Sequence, residues 1–155
     1  MKRLAFFATV LAVAAVPAVV QAVALHNGTP LDHQRAKIRD TAATTSSTRW
    51  MPVPGLDQLD ICAIGQVTAT ISVVESGGTA DFRLQFDGGP TMGPAFARFD
   101  PHGATSSFSF SFAAKMGRFE GSDGHLFTVQ WRSPGGVATT LKRGDLNLLF
   151  RRGSC

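Results

Sequence analysis

The stretch GHLFTVQWR, from Gly124 to Arg132, indicates the fold of the whole chain. Every second side chain from Phe127 to Trp131 is apolar, and the side chains between them are polar. Successive side chains of a β-strand leave opposite faces of a sheet, so this alternation predicts a strand with one buried face.

Similar alternation recurs along the chain, separated by turns rich in glycine and proline. Further strands are predicted at residues 56–62, 66–75, 81–87, 94–100, 106–113, 137–141 and 146–150. Because the alternation is one-sided, antiparallel sheets are favoured over buried parallel ones. The sequence therefore predicts an all-β fold, an antiparallel β-sandwich of about eight strands. The Cys-Trp-Cys spacing of immunoglobulin domains is absent, which favours a jelly-roll-like sandwich.

The inward aromatic positions of these strands are predicted to form the core. They are Phe82, Phe86, Phe108, Phe110, Phe112, Phe127 and Trp131. The outward positions of the same sheets are small and hydroxylic. They include Thr68, Thr70, Ser72, Ser107, Ser109 and Ser111.

Residues 1–22 have the pattern of a secretory signal peptide. Lys2 and Arg3 precede an uncharged apolar run, which Pro17 and small residues end. The run is shorter than the roughly 20 apolar residues of a membrane span. We expect a secreted protein, extracellular or periplasmic, with no membrane span after cleavage; the alternative is an uncleaved N-terminal anchor.

Residues 23–47 are polar and end in a low-complexity Thr/Ser tract, which predicts a leader or tether before a domain at residues 48–155. Asn27 begins an Asn-Gly-Thr sequon, which matters only in a host that glycosylates secreted proteins. Loss of Lys2 and Arg3 lowers the formal net charge from +4 to +2. Without a larger basic cluster, the sequence does not favour nucleic-acid binding.

The chain has two cysteines, Cys62 and Cys155. In an exported protein such a pair predicts one disulfide, which would tie the C-terminus to an early strand. A bridge between two chains is the alternative. The spacing matches neither a zinc site nor a redox motif.

Sequence motifs of catalysis are missing, including the nucleophile elbow, the HExxH motif and the phosphate-binding loops. The sequence therefore favours a non-catalytic protein over an enzyme. The catalytic alternative is a small hydrolase or lyase with a loop site around His102 and His125, together with Asp100 and Asp123.

Four residues are candidates for ligand binding. Glu120, Asp123 and His125 lie in or beside one glycine-containing loop, and Trp50 lies beside prolines without an inward alternation. The carboxylates could hold Ca²⁺, although an ordinary turn is favoured and no cofactor is expected. A partly exposed Trp50 could stack on a sugar ring or anchor a protein partner.

Taken together, these features predict a secreted, non-catalytic β-sandwich module for extracellular binding or assembly. Its expected partner is a carbohydrate or another extracellular protein. Besides the hydrolase or lyase, a homo-oligomeric structural subunit is an alternative from a different class.

Overall fold

The computed structural model describes residues 33–57, 59–89, 91–116 and 124–153, which form strands and turns without a helix. No helix in these ranges is long and apolar enough to cross a membrane. The ten strands within these ranges are β1 (His33–Arg39), β2 (Ala43–Thr45), β3 (Met51–Pro52), β4 (Leu59–Ile61), β5 (Ala63–Gly77), β6 (Ala80–Phe86), β7 (Ala97–Phe99), β8 (Ser106–Met116), β9 (His125–Arg132) and β10 (Thr139–Arg152).

The strands pair in a nested order. The first two strands pair with β10, the next two with β9, β5 with β8, and β6 with β7, all antiparallel. Nested antiparallel pairing of this kind arises when one long hairpin folds over on itself, and it is the topology of a jelly roll. The predicted all-β, jelly-roll-like sandwich is confirmed.

Two sheets face each other across the core. Sheet A has the order β1-β10-β5-β8, with β2 also on β10, and sheet B has the order β3-β9-β6-β7, with β4 also on β9. Because β1 and β2 share one edge of β10, and β3 and β4 share one edge of β9, the ten strands fill eight positions. The expected count of about eight strands agrees with these positions.

The core lies between the sheets and follows the predicted alternation. Trp131 is 2% exposed, and the aromatic rings of both sheets meet around it. Phe82, Phe110, Phe112 and Phe127 are buried as predicted, and Phe86 packs against the core while partly buried.

The prediction for Phe108 is wrong, because its side chain is 40% exposed. Phe108 lies near the start of β8, where its ring stacks on Phe99 with 5.1 Å between ring centroids. Alternation assigns a side chain to a face of the sheet, but it does not show whether the opposite sheet extends far enough to cover it.

The predicted tether is also wrong where the structure describes it. Residues 33–39 and 43–45 form β1 and β2, so the domain begins well before residue 48. Ile38 is 57% exposed, and the strand is held through its backbone ladder to β10. Arg39 adds a donation to the Pro54 carbonyl. An edge strand held in this way needs no apolar alternation, which is why its sequence resembles a linker.

The two strands predicted at 137–141 and 146–150 are parts of one continuous strand, β10. Its pairing with β5 runs from Thr139 to Arg152, with a register shift between Leu141 and Arg143. The shift interrupts the alternation at Lys142 and Arg143, both exposed, without ending the strand.

The C-terminal end of β10 lies beside Cys62. The backbone N–H of Gly153 donates to the Cys62 carbonyl at 2.7 Å. Cys155 lies outside the described residues, so its disulfide with Cys62 stays a prediction. The signal peptide and Asn27 lie outside them as well.

Candidate functional site

The outer face of sheet B carries a cluster of arginines around Trp50. Trp50 precedes β3, whose Met51 pairs with Trp131, so its indole lies across from Arg132 on the outward side. The guanidinium carbons of Arg83 and Arg132 lie 4.4 and 4.6 Å from the Trp50 ring centroid. Both distances are those of cation–π contacts, which hold the guanidinium groups against the indole.

A buried carboxylate fixes two of these arginines. Asp81 is fully buried although it lies on the outward face, because Arg98 and Arg132 cover it. Arg98 donates from Nε to Oδ1 at 2.7 Å and from Nη2 to Oδ2 at 3.1 Å. Arg132 donates from Nε to Oδ2 at 3.0 Å. Asp81 pairs in register with both arginines, so the sheet itself brings the three charges together.

We call Trp50, Asp81, Arg83, Arg98 and Arg132 the arginine platform. Phe96 forms its rim, 42% exposed and 6.4 Å from Trp50 between ring centroids. The guanidinium carbons of Arg98 and Arg132 lie 5.7 and 5.9 Å from the Phe96 ring centroid. The aromatic rings therefore position the arginines, and Phe96 is the exposed apolar group beside them.

A row of side-chain amides continues from the arginine platform along sheet B. Arg83 donates from Nε to Gln130 Oε1 at 2.7 Å, and Gln130 donates from Nε2 to Gln85 Oε1 at 2.8 Å. Gln85 in turn donates to the Gly89 carbonyl at 3.0 Å. These bonds fix the orientation of Arg83. Burial, and then the positive charge of Arg132, lower the pKa of Arg83 from its usual value.

An open cavity of about 450 Å³ adjoins the arginine platform at the end of the sandwich. Arg98 and Asp100 line it together with Thr79, Ser133 and the turn that follows. The backbone N–H of His102, and then the Thr79 hydroxyl, hold the pKa of Asp100 below its usual value. Arg98 therefore lies both on the arginine platform and in the lining of the cavity.

Glu75 is a buried acid at the same end of the sandwich. Its Oε1 accepts a hydrogen bond from the Thr139 hydroxyl, and its Oε2 has no partner in the described part of the chain. Burial raises the pKa of Glu75 to about 7, the Thr139 hydrogen bond opposes the rise, and the charge of Asp100 adds to it. The Glu75 carboxyl is therefore partly protonated near neutral pH.

Glu75 makes a testable contribution to stability. Its folded pKa lies above the ordinary value of 4.5, so the folded chain keeps a proton that the unfolded chain releases. The stabilisation is complete below pH 4.5 and is lost as the pH rises to about 7. We expect the free energy of unfolding to fall by about 3 kcal/mol across that window. Urea unfolding at a series of pH values measures this fall in the free energy of unfolding, with Glu75→Gln as the control. An equal fall in Glu75→Gln would contradict this assignment.

Trp50 and His125, the two predicted binding residues that the structure describes, lie far apart. Trp50 lies on the arginine platform, whereas His125 lies at the start of β9, roughly 23 Å away along the strand. Glu120 and Asp123 lie outside the described residues. Trp50 is therefore the one predicted binding residue that the structure places in this cluster.

His125 contributes to a structural tie between strands. It is buried, and its Nδ1 lies 2.7 Å from Asp87 Oδ2. The other oxygen of Asp87 accepts the backbone N–H of Leu126 at 2.9 Å. Asp87 thereby joins the turn after β6 to the start of β9.

The two histidines of the catalytic alternative, His102 and His125, lie at opposite ends of β6. His102 follows β7 near Ala80, and His125 lies near Asp87, beyond the other end of β6. The seven residues of β6 separate the two ends by roughly 20 Å. His102 is 87% exposed and 3.5 Å from Asp100. Within the described ranges, no three His, Cys, Asp or Glu side chains lie close enough to hold a metal ion.

The residues that the sequence analysis missed are Asp81 and the three arginines. The outward positions of Arg83 and Arg132 are visible in the alternation of their strands. Their meeting at Trp50 depends on the pairing of β3, β9 and β6, which no local pattern shows.

Comparisons with protein families and with curated proteins assign no family to the chain. No protein-family model matches the chain, and no curated protein matches it significantly. A function must therefore be sought in the chemistry of the platform.

Proposed function

We propose that the chain is a secreted, non-catalytic β-sandwich module that binds an extracellular ligand on the arginine platform. The observation that carries the proposal is the packing of the Arg83 and Arg132 guanidinium groups on Trp50. Two positive charges side by side repel each other, and the sheet holds them together through Trp50 and the buried Asp81.

Binding fits the platform better than catalysis. Asp81 is fully buried and bonded to two arginines, so it is not exposed as a general base. The remaining groups are guanidinium and amide groups, which donate hydrogen bonds and do not act as nucleophiles at neutral pH. The platform can therefore hold a ligand without transforming it.

An array of neutral and acidic glycans tests this proposal. We expect the mature protein to bind, and Arg83→Gln to weaken binding by about tenfold or more, as loss of a charge-assisted hydrogen bond does. Arg143→Gln is the matched control, because it removes the same charge from the outer face of sheet A, where Arg143 is 54% exposed. Absence of glycan binding, or equal loss in both variants, would refute the proposed site.

The homo-oligomeric structural subunit remains the second candidate, with the outer face of sheet A as its contact surface. Hydroxyl groups there bond across strands, as in Ser109 to Ser72 at 2.8 Å and Thr44 with Thr140 at 2.9 Å. Beside them, the Oδ1 atom of Asn147 is buried without a partner among the described residues. A second copy that donates a hydrogen bond to it would support this candidate.

A further inference from the structure

We infer that the ligand of the arginine platform is an acidic polysaccharide, bound through its carboxylate groups. The inference rests on the proposed function and specifies the ligand class of the same site. It follows from the charge of the platform, from the position of the Trp50 ring and from the amide row beside it.

The charge of the platform is unbalanced. The platform holds three guanidinium groups and one carboxylate, so these four side chains carry a net charge of +2. The side-chain hydrogen bond of Arg83 in the described part of the chain is the Nε donation to Gln130, so both of its Nη groups remain available to a ligand. Arg98 is 55% exposed above Asp81. Planar guanidinium forks match the two oxygens of a carboxylate.

The Trp50 ring is not an open surface for a neutral sugar. Guanidinium groups at 4.4 and 4.6 Å from its centroid occupy the space over the ring. A sugar that stacked there would have to displace charged groups from favourable contacts. The indole is therefore a positioning group for Arg83 and Arg132, and the arginines are the groups that contact the ligand.

The surroundings favour a polysaccharide over an acidic protein segment. The amides of Gln130 and Gln85 both donate and accept hydrogen bonds, which suits sugar hydroxyls beside a carboxylate. Arginine and aromatic side chains are also enriched at the centres of protein interfaces, so the amide row is the feature that favours a polysaccharide here.

The experiment compares three polymers: polygalacturonate as the acidic polysaccharide, dextran as the neutral one and poly-glutamate as the acidic polypeptide. Equilibrium binding to the mature chain is measured at about 0.05 M and about 0.5 M NaCl, because salt screens exposed charges. We expect polygalacturonate alone to bind, with affinity at least about tenfold weaker at the higher salt. We expect Arg83→Gln to lower that affinity by about tenfold or more and Arg143→Gln by less than about twofold.

The other outcomes separate the two proposals. Dextran binding that is insensitive to salt and lost in Arg83→Gln would retain the proposed function and overturn the acidic ligand. Equally tight binding of poly-glutamate at the same site would overturn the choice of a polysaccharide. Polygalacturonate binding weakened equally by Arg83→Gln and Arg143→Gln would reflect net charge alone and overturn both. Binding of none of the polymers overturns the inference, and the glycan array then decides the function separately.

Discussion

Trp131→Ala is expected to lower the free energy of unfolding by about 3–5 kcal/mol, as truncation of a buried large aromatic does. Trp131 is 2% exposed and lies near the C-terminal end of β9. Its ring lies 6.2 Å from Phe82 between ring centroids, and Phe82 lies 5.4 Å from Phe110 of the opposite sheet. Truncation would leave a cavity at the point where the two sheets meet. Urea unfolding of the purified variant measures the loss.

Trp50→Ala is the matched control, because Trp50 and Trp131 are the two tryptophans of the chain. Trp50 is half-buried on the outside of the sandwich, so its loss should cost about 1–2 kcal/mol, mainly through its contacts with Arg83 and Arg132. A loss below about 1 kcal/mol for Trp131→Ala would mean that β9 presents its other face to the core.

Asp81→Asn is expected to lower the free energy of unfolding by about 3 kcal/mol, since it removes one partner from a buried charge network. The amide N–H groups of the variant would also point at the guanidinium groups of Arg98 and Arg132, which donate hydrogen bonds and cannot accept them. The same variant should bind polygalacturonate more weakly, although its net charge is more positive. Asp81 is a positioning residue, because it acts by holding the two arginines in place.

Asp145→Asn is the control for this variant. Asp145 lies on the outer face of sheet A, where its carboxylate is 3.7 Å from Arg143, so we expect a stability change below about 1 kcal/mol. Asp81→Glu keeps the charge and should restore part of the binding. Stronger polygalacturonate binding by Asp81→Asn would show that net charge, rather than the arrangement of the arginines, decides affinity.

The fold could be predicted largely because buried side chains alternate along its central strands. In β5 and β9 the inward positions are apolar except at Glu75 and His125, which leaves one arrangement of each strand across the sandwich. The edge strand β1 could not be predicted in this way, since its side chains are largely exposed and its backbone makes the pairing. The extent of β10 was missed because Lys142 and Arg143 interrupt its alternation at a register shift.

The candidate site was less predictable than the fold. Trp50 could be identified from its neighbouring prolines and its lack of an inward pattern. Asp81 meets Arg98 and Arg132 across sequence separations of 17 and 51 residues, and strand register alone brings them together. His125 was chosen for its residue type and its loop, yet its buried ring pairs with Asp87 in a contact between strands. Residue type predicts which chemistry a side chain can do, whereas the fold determines which other residues that side chain contacts.

The most direct test of the arginine platform is a proton–nitrogen correlation spectrum of the mature chain titrated with polygalacturonate. We expect the indole N–H signal of Trp50 and the Nε–H signals of Arg83 and Arg132 to shift together, while the indole signal of the buried Trp131 moves little. Shifts confined to the hydroxyl face of sheet A, or to the end of the sandwich around Asp87 and His125, with Trp50 and Arg83 unmoved, would contradict it.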